Sequence, residues 1–274
     1  MKEKKTIDLL QTTFIIPIKI EHPDRYRNAK ICLEYLNHNF KTNVFIYEVS
    51  DDGETRLDFI GGLKNLNLEH QIQKSDGVFH RTKYLNIMLD RVKTPVVSNY
   101  DIDVILDVSN YKECQDSIIK GDADVLYPYN YGVSQFRVYE SFDYEGFWKS
   151  NLSTVFIKRS NSIDTYYSEC GHCIFFNTEI YKKYGGENEG FISYGPEDRE
   201  RMERFKKLGV SVKWKPYDFV YHFEHYRGKD SEKTNPEYPN NVDLFNSLIN
   251  KSKEDLIDYY SNQEYTNKYK TISK

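Results

Sequence analysis

The stretch FIIPIKIEHPDRYRNAKICLEYLNHNFKTNVFIYEV, residues 14–49, decides the fold of this chain. It begins with the apolar run 14–20 and ends with the apolar run 43–49, and both are typical of β-strands. Between them, apolar side chains recur at helical spacing from Ala29 to Phe40. A strand, a helix and a strand of these lengths form a βαβ unit with a parallel strand pair. The stretch therefore predicts an α/β fold, in which ligands bind beyond the carboxyl ends of the strands.

The rest of the chain continues this alternation. Helices are predicted over 79–92, 109–119, 178–184 and 196–209, and strands over 94–103, 124–129, 172–177, 210–214 and 219–225. Residues 134–156 are polar and aromatic without clear periodicity, which predicts a long loop. One or two amphipathic helices follow from about residue 241. We expect one domain over 1–236 and a C-terminal helical tail over 237–274.

Composition excludes several classes of protein. The net charge of -4 and the pI of about 6.0 give no overall basic field for nucleic acid. No run approaches the roughly 20 apolar residues of a membrane-spanning helix, and residues 1–13 lack the apolar core of a signal peptide. The four scattered cysteines are expected to be free thiols. A cytoplasmic location follows as the default.

Two short motifs offer ligands for a cation. Asp101 and Asp103 follow an apolar run, and in an extended segment they would share one face, where a divalent cation would relieve their repulsion. The alternative is that the strand has ended and both acids lie in water. His222 and His225 follow a second apolar run, and imidazole with carboxylate suits ions such as Mn²⁺. Both histidines can share one ion only if that strand bends or ends.

A third motif places Glu197 and Asp198 at the start of a predicted helix. Acids there stabilise a helix by roughly 0.3–1 kcal/mol through its dipole, so they need no catalytic role. The same position keeps a carboxylate ionised, as a general base requires. No glycine-rich loop follows the first strand, so the phosphates of a bound nucleotide would need a metal held by the aspartates, with Arg81 or Lys83 assisting.

These motifs, in their order, resemble those of a known family. FIIPIKI, FHRTKYLN, YDID, GGENEGFISYGPED and HFEHYRGKDSEKTNP are similar to the successive motifs of GT-A glycosyltransferases of the β-1,4-galactosyltransferase type and of bacterial family 2 polysaccharide glycosyltransferases. The resemblance spans residues 14–236. It implies a Rossmann-like, nucleotide-binding GT-A fold with a mostly parallel central sheet flanked by helices. Two departures concern the acceptor side, where ISYGP replaces a tryptophan-glycine run and Arg199 replaces a common acid.

The resemblance also implies a role for individual residues. It implies that the nucleotide is bound by Pro17, Phe79, Arg81, Lys83 and Asp101. The ligands of Mn²⁺, with Mg²⁺ as the alternative, would be Asp103, His222 and His225. Asp198 would be the catalytic base, and Glu197 would hold the acceptor. His222 lies where animal enzymes have a methionine ligand. Trp148 is a candidate for stacking on a sugar, and a core position is the alternative.

The expected activity is therefore metal-dependent transfer of a sugar from a UDP-sugar to a hydroxyl of a saccharide or glycolipid acceptor. Inversion at the anomeric carbon is expected, in the synthesis of surface polysaccharide or lipopolysaccharide. The alternatives are a retaining transferase, a nucleotidyltransferase, which would want the missing glycine-rich loop, and a non-catalytic nucleotide- or sugar-binding module. Peripheral contact of the tail with the inner face of the membrane stays open. Neither the donor sugar nor the oligomeric state follows from the sequence.

Overall fold

A computed structural model of the chain describes residues 6–269; residues 1–5 and 270–274, which belong to the predicted domain and tail, lie outside the described residues. The strands are β1 (Ile7–Ile18), β2 (Phe40–Ser50), β3 (Leu66–Lys74), β4 (Val96–Tyr100), β5 (Val104–Leu106), β6 (Val125–Tyr127), β7 (Gly132–Val138), β8 (Ile163–Ser168), β9 (Cys173–Asn177), β10 (Val212–Trp214) and β11 (Val220–Phe223). The helices are α1 (Pro23–Asn39), α2 (Arg81–Arg91), α3 (Val108–Lys120), α4 (Tyr144–Lys149), α5 (Thr154–Lys158), α6 (Thr178–Lys183), α7 (Glu197–Leu208), α8 (Tyr238–Ile249) and α9 (Lys253–Ser261).

The larger sheet confirms the predicted fold class. Its strand order is β10-β6-β9-β4-β1-β2-β3, and all its neighbouring strands are parallel except the pairs that β9 makes with β4 and β6. The predicted βαβ unit is β1-α1-β2, with Phe14 opposite Val44 in the parallel register. Helices α1, α2 and α3 pack on this sheet. The protein is therefore an α/β fold with a mostly parallel sheet flanked by helices.

An aromatic cluster in the core holds the central strands together. Phe14 of β1 is fully buried, and its ring makes edge contacts with Tyr100, Tyr111 and Phe175 at centroid distances of 5.3, 6.0 and 6.0 Å. Such pairs contribute roughly 0.5–1.5 kcal/mol beyond the area they bury. Because Tyr100 is the last residue of β4, this packing fixes the point at which residues 101–103 leave the sheet.

A second sheet, with the order β5-β11-β7-β8, was not predicted. The expectation of a long loop over 134–156 was wrong, since these residues form most of β7 together with α4 and α5. β7 is held by β8 and by β11, which is distant in sequence, so local periodicity gives little sign of it. β11 runs antiparallel to β5, and this register sets His222 opposite Val104. The pairing therefore brings the predicted histidine motif to the residue that follows Asp103.

The tail helices pack on α7. Leu248, Leu256 and Tyr260 are buried, and the hydroxyl of Tyr260 donates to Glu200 at 2.6 Å, while the guanidinium of Arg204 lies 4.2 Å from the Tyr260 ring centroid. The boundary between the domain 1–236 and the tail stays a prediction. None of the helices in the described part of the chain combines the length and apolarity needed to span a membrane.

Asn241, on α8, connects the tail to the segment before α7. This side chain is 1% exposed; its Nδ2 donates to the carbonyls of Ile192 and Tyr194 at 2.7 and 2.9 Å, and its Oδ1 accepts from the Ile192 amide at 3.1 Å. Three backbone groups of an irregular segment are thereby satisfied by one side chain. The neighbouring Asn240 is exposed and bonds Glu237 on its own helix.

We predict that Asn241→Ala lowers the free energy of unfolding by about 2–3 kcal/mol, because it leaves buried backbone groups without partners. Asn240→Ala, one residue earlier on the same helix, is the control and should change stability by no more than about 0.5 kcal/mol. Urea denaturation of both variants gives the two values. Equal stability of the two variants would contradict the role assigned to Asn241.

Candidate active site

A cleft of about 390 Å³ lies beyond the carboxyl ends of β1 and β4, where an α/β fold is expected to bind ligands. It is closed on the other side by the β8–β9 connection, the start of α7 and the segment after β11. Nine of the ten predicted site residues line it: Pro17, Phe79, Arg81, Asp101, Asp103, Glu197, Asp198, His222 and His225. Segments far apart in sequence therefore meet in one cavity.

Lys83 is the predicted site residue that the structure does not bring to this cleft. It is exposed on α2, whereas Arg81 lines the cavity from the first turn of the same helix. A residue two positions further along a helix lies about 200° around its axis, so the two side chains face in different directions. Of the two residues that the sequence suggested for binding phosphates, Arg81 alone lines the cleft.

Asp103 and the two histidines converge on one point. The Asp103 Oδ2 lies 3.0 Å from His225 Nε2, and its Oδ1 lies 3.7 Å from His222 Nε2. One ligand atom from each of the three residues falls within 4.8 Å of the others. Both histidines can share one ion only if their strand bends or ends, and β11 does end at Phe223, before His225. A single cation can therefore be reached by all three side chains.

The strand has ended before the two aspartates, as in the second alternative, but they are not both in water: the Asp101 side chain is 31% exposed and Asp103 is buried. β4 ends at Tyr100, and the chain turns through Asp101 to Asp103. Asp103 is 8% exposed and faces the histidines, whereas Asp101 accepts a hydrogen bond of 2.8 Å from Arg81 Nη2. Each carboxylate thus has its own partner, which the spacing in the sequence did not predict.

The protonation of the cluster suits a divalent cation. Burial lowers the pKa of His222 to about 3, so this imidazole is neutral. Burial opposes the charge of Asp103, but the imidazoles of His222 and His225 keep its pKa well below the ordinary value. His225 is partly buried, which lowers its pKa, yet its hydrogen bond to Asp103 outweighs this and raises its pKa. Its Nδ1 donates to the Tyr226 carbonyl at 2.7 Å, so Nε2 faces the cluster, and a bound cation would displace the proton shared with Asp103.

An acid pair lies across the cleft at the start of α7. Arg201, one turn into the helix and 1% exposed, donates to Asp198 Oδ1 at 2.6 Å and forms a second ion pair with the buried Glu187. Arg81 Nη1 lies 3.6 Å from Asp198 Oδ1 and 3.8 Å from Glu197 Oε1. Arg81 therefore lies close to both acids, and Arg201 pairs with Asp198.

This environment separates the pKa values of the two acids. Burial and the charge of Asp198 raise the pKa of Glu197 to about 8. Burial also acts on Asp198, but Arg201 and Arg81 keep its pKa below the ordinary value. At neutral pH the pair holds one proton, on Glu197, and one negative charge, on Asp198. Such a division places a proton acceptor beside a hydrogen-bond donor.

Several residues of the cleft were missed by the sequence analysis. Gly171 and His172 both have positive φ, +106° and +58°, and a Cβ on Gly171 would lie 3.1 Å from Asp198 Oδ2. The sequence predicted only a strand from His172 onward, and the four cysteines of the chain are free, as expected. Arg201 was identifiable, since i and i+3 are neighbours on a helix. Trp148, proposed for sugar stacking, is not among the residues lining the cleft; it packs on the core and donates to Glu34 at 2.6 Å.

No family model matches this sequence, and no curated protein matches it. Among solved structures, the chain is similar to the catalytic domain of Drosophila β1,4-galactosyltransferase 7 in complex with xylobiose. The TM-score is 0.47 and the sequence identity 13%, over 89% of this chain and 82% of that chain. We therefore infer the function from the residues of the cleft itself.

We predict that Glu197→Gln removes a pH dependence of stability. The pKa of Glu197 is about 8 in the folded protein against an ordinary 4.5, so between these values the folded protein keeps a proton that the unfolded chain has lost. Wild-type stability should therefore fall with rising pH in this window by up to about 1.4 kcal/mol per unit relative to the variant.

Denaturation of wild type and Glu197→Gln between pH 5.5 and 8 measures the difference, which should grow in favour of the variant as the pH rises. Glu203→Gln, further along α7, controls for the loss of a glutamate from this helix. A constant difference across the range would show that Glu197 is already ionised.

Proposed function

We propose that the protein is a GT-A glycosyltransferase that moves a sugar from a UDP-sugar to a hydroxyl of a saccharide or glycolipid acceptor. The observation that carries the proposal is that the cluster of Asp103, His222 and His225 and the ionised Asp198 line the same cleft. The cluster suits the binding of a cation together with the phosphates of a nucleotide sugar. The ionised Asp198 suits the removal of a proton from an acceptor.

The donor side of the proposal rests on the arginines that line the cleft and on the metal-ligand cluster. Arg25, Arg81 and Arg227 line it, and the bulky segment after β1 replaces the glycine-rich loop that binds phosphates elsewhere. Asp103 with the two histidines would hold the cation, and their nitrogen and oxygen donors favour Mn²⁺, with Mg²⁺ as the alternative. Such an ion supplies Lewis-acid stabilisation of the charge on a leaving diphosphate. Pro17, Phe79 and Asp101 would contact the nucleotide.

The acceptor side rests on the divided acid pair. The oxygen of an acceptor hydroxyl would attack the anomeric carbon of the donor, its proton would pass to the carboxylate of Asp198, and the bond from that carbon to the phosphate oxygen would break. Protonated Glu197 would donate a hydrogen bond that holds the acceptor. In-line attack inverts the anomeric centre. NMR of the product anomer distinguishes this from a retaining enzyme.

We further propose, from the resemblance of the motifs, that the enzyme acts in surface polysaccharide or lipopolysaccharide synthesis at the inner face of the membrane.

The activity as a whole is tested by measuring UDP release from a panel of UDP-sugars, with and without saccharide acceptors. Release that depends on both donor and acceptor supports a transferase. UDP binding without turnover across the panel would favour a binding module.

The first prediction of this proposal concerns Asp103. Asp103→Asn should weaken UDP binding in the presence of Mn²⁺ by at least about tenfold, because it removes a charged ligand from the cluster. Binding without the ion should change little. Isothermal titration with UDP, with and without Mn²⁺, makes the comparison, and Asp122→Asn, at an exposed aspartate that is not among the residues lining the cleft, is the control. Unchanged Mn²⁺-dependent affinity in Asp103→Asn would remove the metal assignment.

The second prediction concerns Asp198. Asp198→Asn keeps the shape of the side chain but cannot accept the proton, so turnover should fall by about 10²–10⁴-fold. Affinity for UDP should stay within about twofold of wild type, and Glu203→Gln should retain turnover. Initial rates and titration calorimetry give the two quantities. Parallel loss of turnover and UDP affinity would indicate that Asp198 supports the structure and is not the base.

A further inference from the structure

A hydrogen-bonded chain of side chains lies behind the metal-ligand cluster. The hydroxyl of Tyr166, on β8, is 3.2 Å from His222 Nδ1 and 3.1 Å from His172 Nε2. His172 Nε2 also contacts the side-chain oxygen Oε1 of Gln135, which is fully buried on β7, so this nitrogen donates and carries a proton. These residues come from strands β7 and β8 and from the connection before β9, and none of them was predicted to act in the site.

The position of one proton decides whether His222 can bind a cation. Its Nε2 faces Asp103 at 3.7 Å; to bind a cation there, this nitrogen must offer a lone pair, and the proton of the neutral ring must reside on Nδ1. Nδ1–H can then donate to the Tyr166 oxygen, which also accepts from the protonated Nε2 of His172. If the Tyr166 hydroxyl instead donated to Nδ1, the proton of His222 would occupy Nε2, where it blocks coordination. The direction of the hydrogen bond between Tyr166 and His222 is therefore tied to metal binding.

We propose that Tyr166 is a positioning residue for the metal site, which fixes the ring orientation and the Nδ1–H tautomer of His222. The inference rests on the proposed role of His222 as a ligand. Partners of this kind typically change metal affinity by 10–100-fold when removed. They act because a metal-binding imidazole is oriented through its second nitrogen.

The role of the Tyr166 hydroxyl can be tested separately from the packing of its ring. The ring packs beneath the guanidinium of Arg137, whose carbon lies 5.0 Å from the ring centroid, and Tyr166→Phe retains this contact. Tyr167 is the matched control: it is the next residue of β8 and also lines the cleft, but its hydroxyl bonds Glu169. Its side chain is 58% exposed and its hydroxyl donates to Glu169 at 3.0 Å.

The test is titration of the full chain with Mn²⁺ alone, followed by calorimetry, for wild type, Tyr166→Phe, Tyr167→Phe and Asp103→Asn. We expect the Kd for Mn²⁺ to rise about 10–100-fold in Tyr166→Phe and to stay at the wild-type value in Tyr167→Phe. Wild-type affinity in Tyr166→Phe would overturn the inference while leaving the metal site intact. Mn²⁺ binding that does not respond to Asp103→Asn would overturn the site itself, and the inference with it.

The tautomer of His222 gives a second measurement that does not depend on turnover. Nitrogen-15 NMR of the imidazole should report Nδ1–H in wild type and in Tyr167→Phe, and a shift towards Nε2–H in Tyr166→Phe. The same tautomer in all three proteins would therefore contradict the proposal, even where affinity differs.

Discussion

The buried carboxylate of Asp103 is the constraint on which the cleft depends. A charge removed from water costs several kcal/mol unless partners compensate it, and Asp103 is 8% exposed at the end of the central sheet. His225 compensates part of that charge through its hydrogen bond, and both histidines reach Asp103 because β11 pairs with β5 directly after it. The amide of Phe223 also donates to the Asp103 carbonyl at 2.8 Å. The second sheet thus holds the cluster through its backbone as well as its side chains.

The βαβ unit reinforces the same junction from the other side. Asn28 of α1 is fully buried and donates to the Phe223 carbonyl at 2.9 Å, and Arg27 Nη2 donates to the Glu224 carbonyl at 2.8 Å. The first helix of the chain therefore contacts the residues that lie between the two histidines. Across the cleft, Arg81 connects the acid that follows β4 to the acids at the start of α7. The ion pairs of Arg81 therefore connect opposite walls of the cavity.

The sequence predicted the parts of the fold that local pattern determines. β1 and β2 follow from apolar runs and α1 from helical spacing, and α7 lies within the helix predicted over 196–209. The edge strand β3 and the pair β7 and β8 were missed, because their place depends on pairing between distant segments. Local pattern is thus sufficient for the βαβ core and insufficient for the second sheet.

The same division holds for the site. The carboxylate and imidazole types were visible in the sequence, and the structure brings Asp103, His222 and His225 together. Which of two neighbouring groups faces the cleft was not visible, as Arg81 and Lys83 illustrate. The network through Tyr166 could not be foreseen, since its strand was not predicted. The sequence indicated which types of side chain form the site, but the direction in which they face and the residues that hold them required the tertiary structure.

The most direct test of the account is the position of a cation in the cleft. Crystals grown with Mn²⁺ and UDP, measured at the manganese absorption edge, give an anomalous peak wherever the ion binds. The account predicts a peak in contact with the Asp103 carboxylate and with Nε2 of both His222 and His225, beside the diphosphate. A peak elsewhere, or bound UDP with these three side chains uncoordinated, would contradict it.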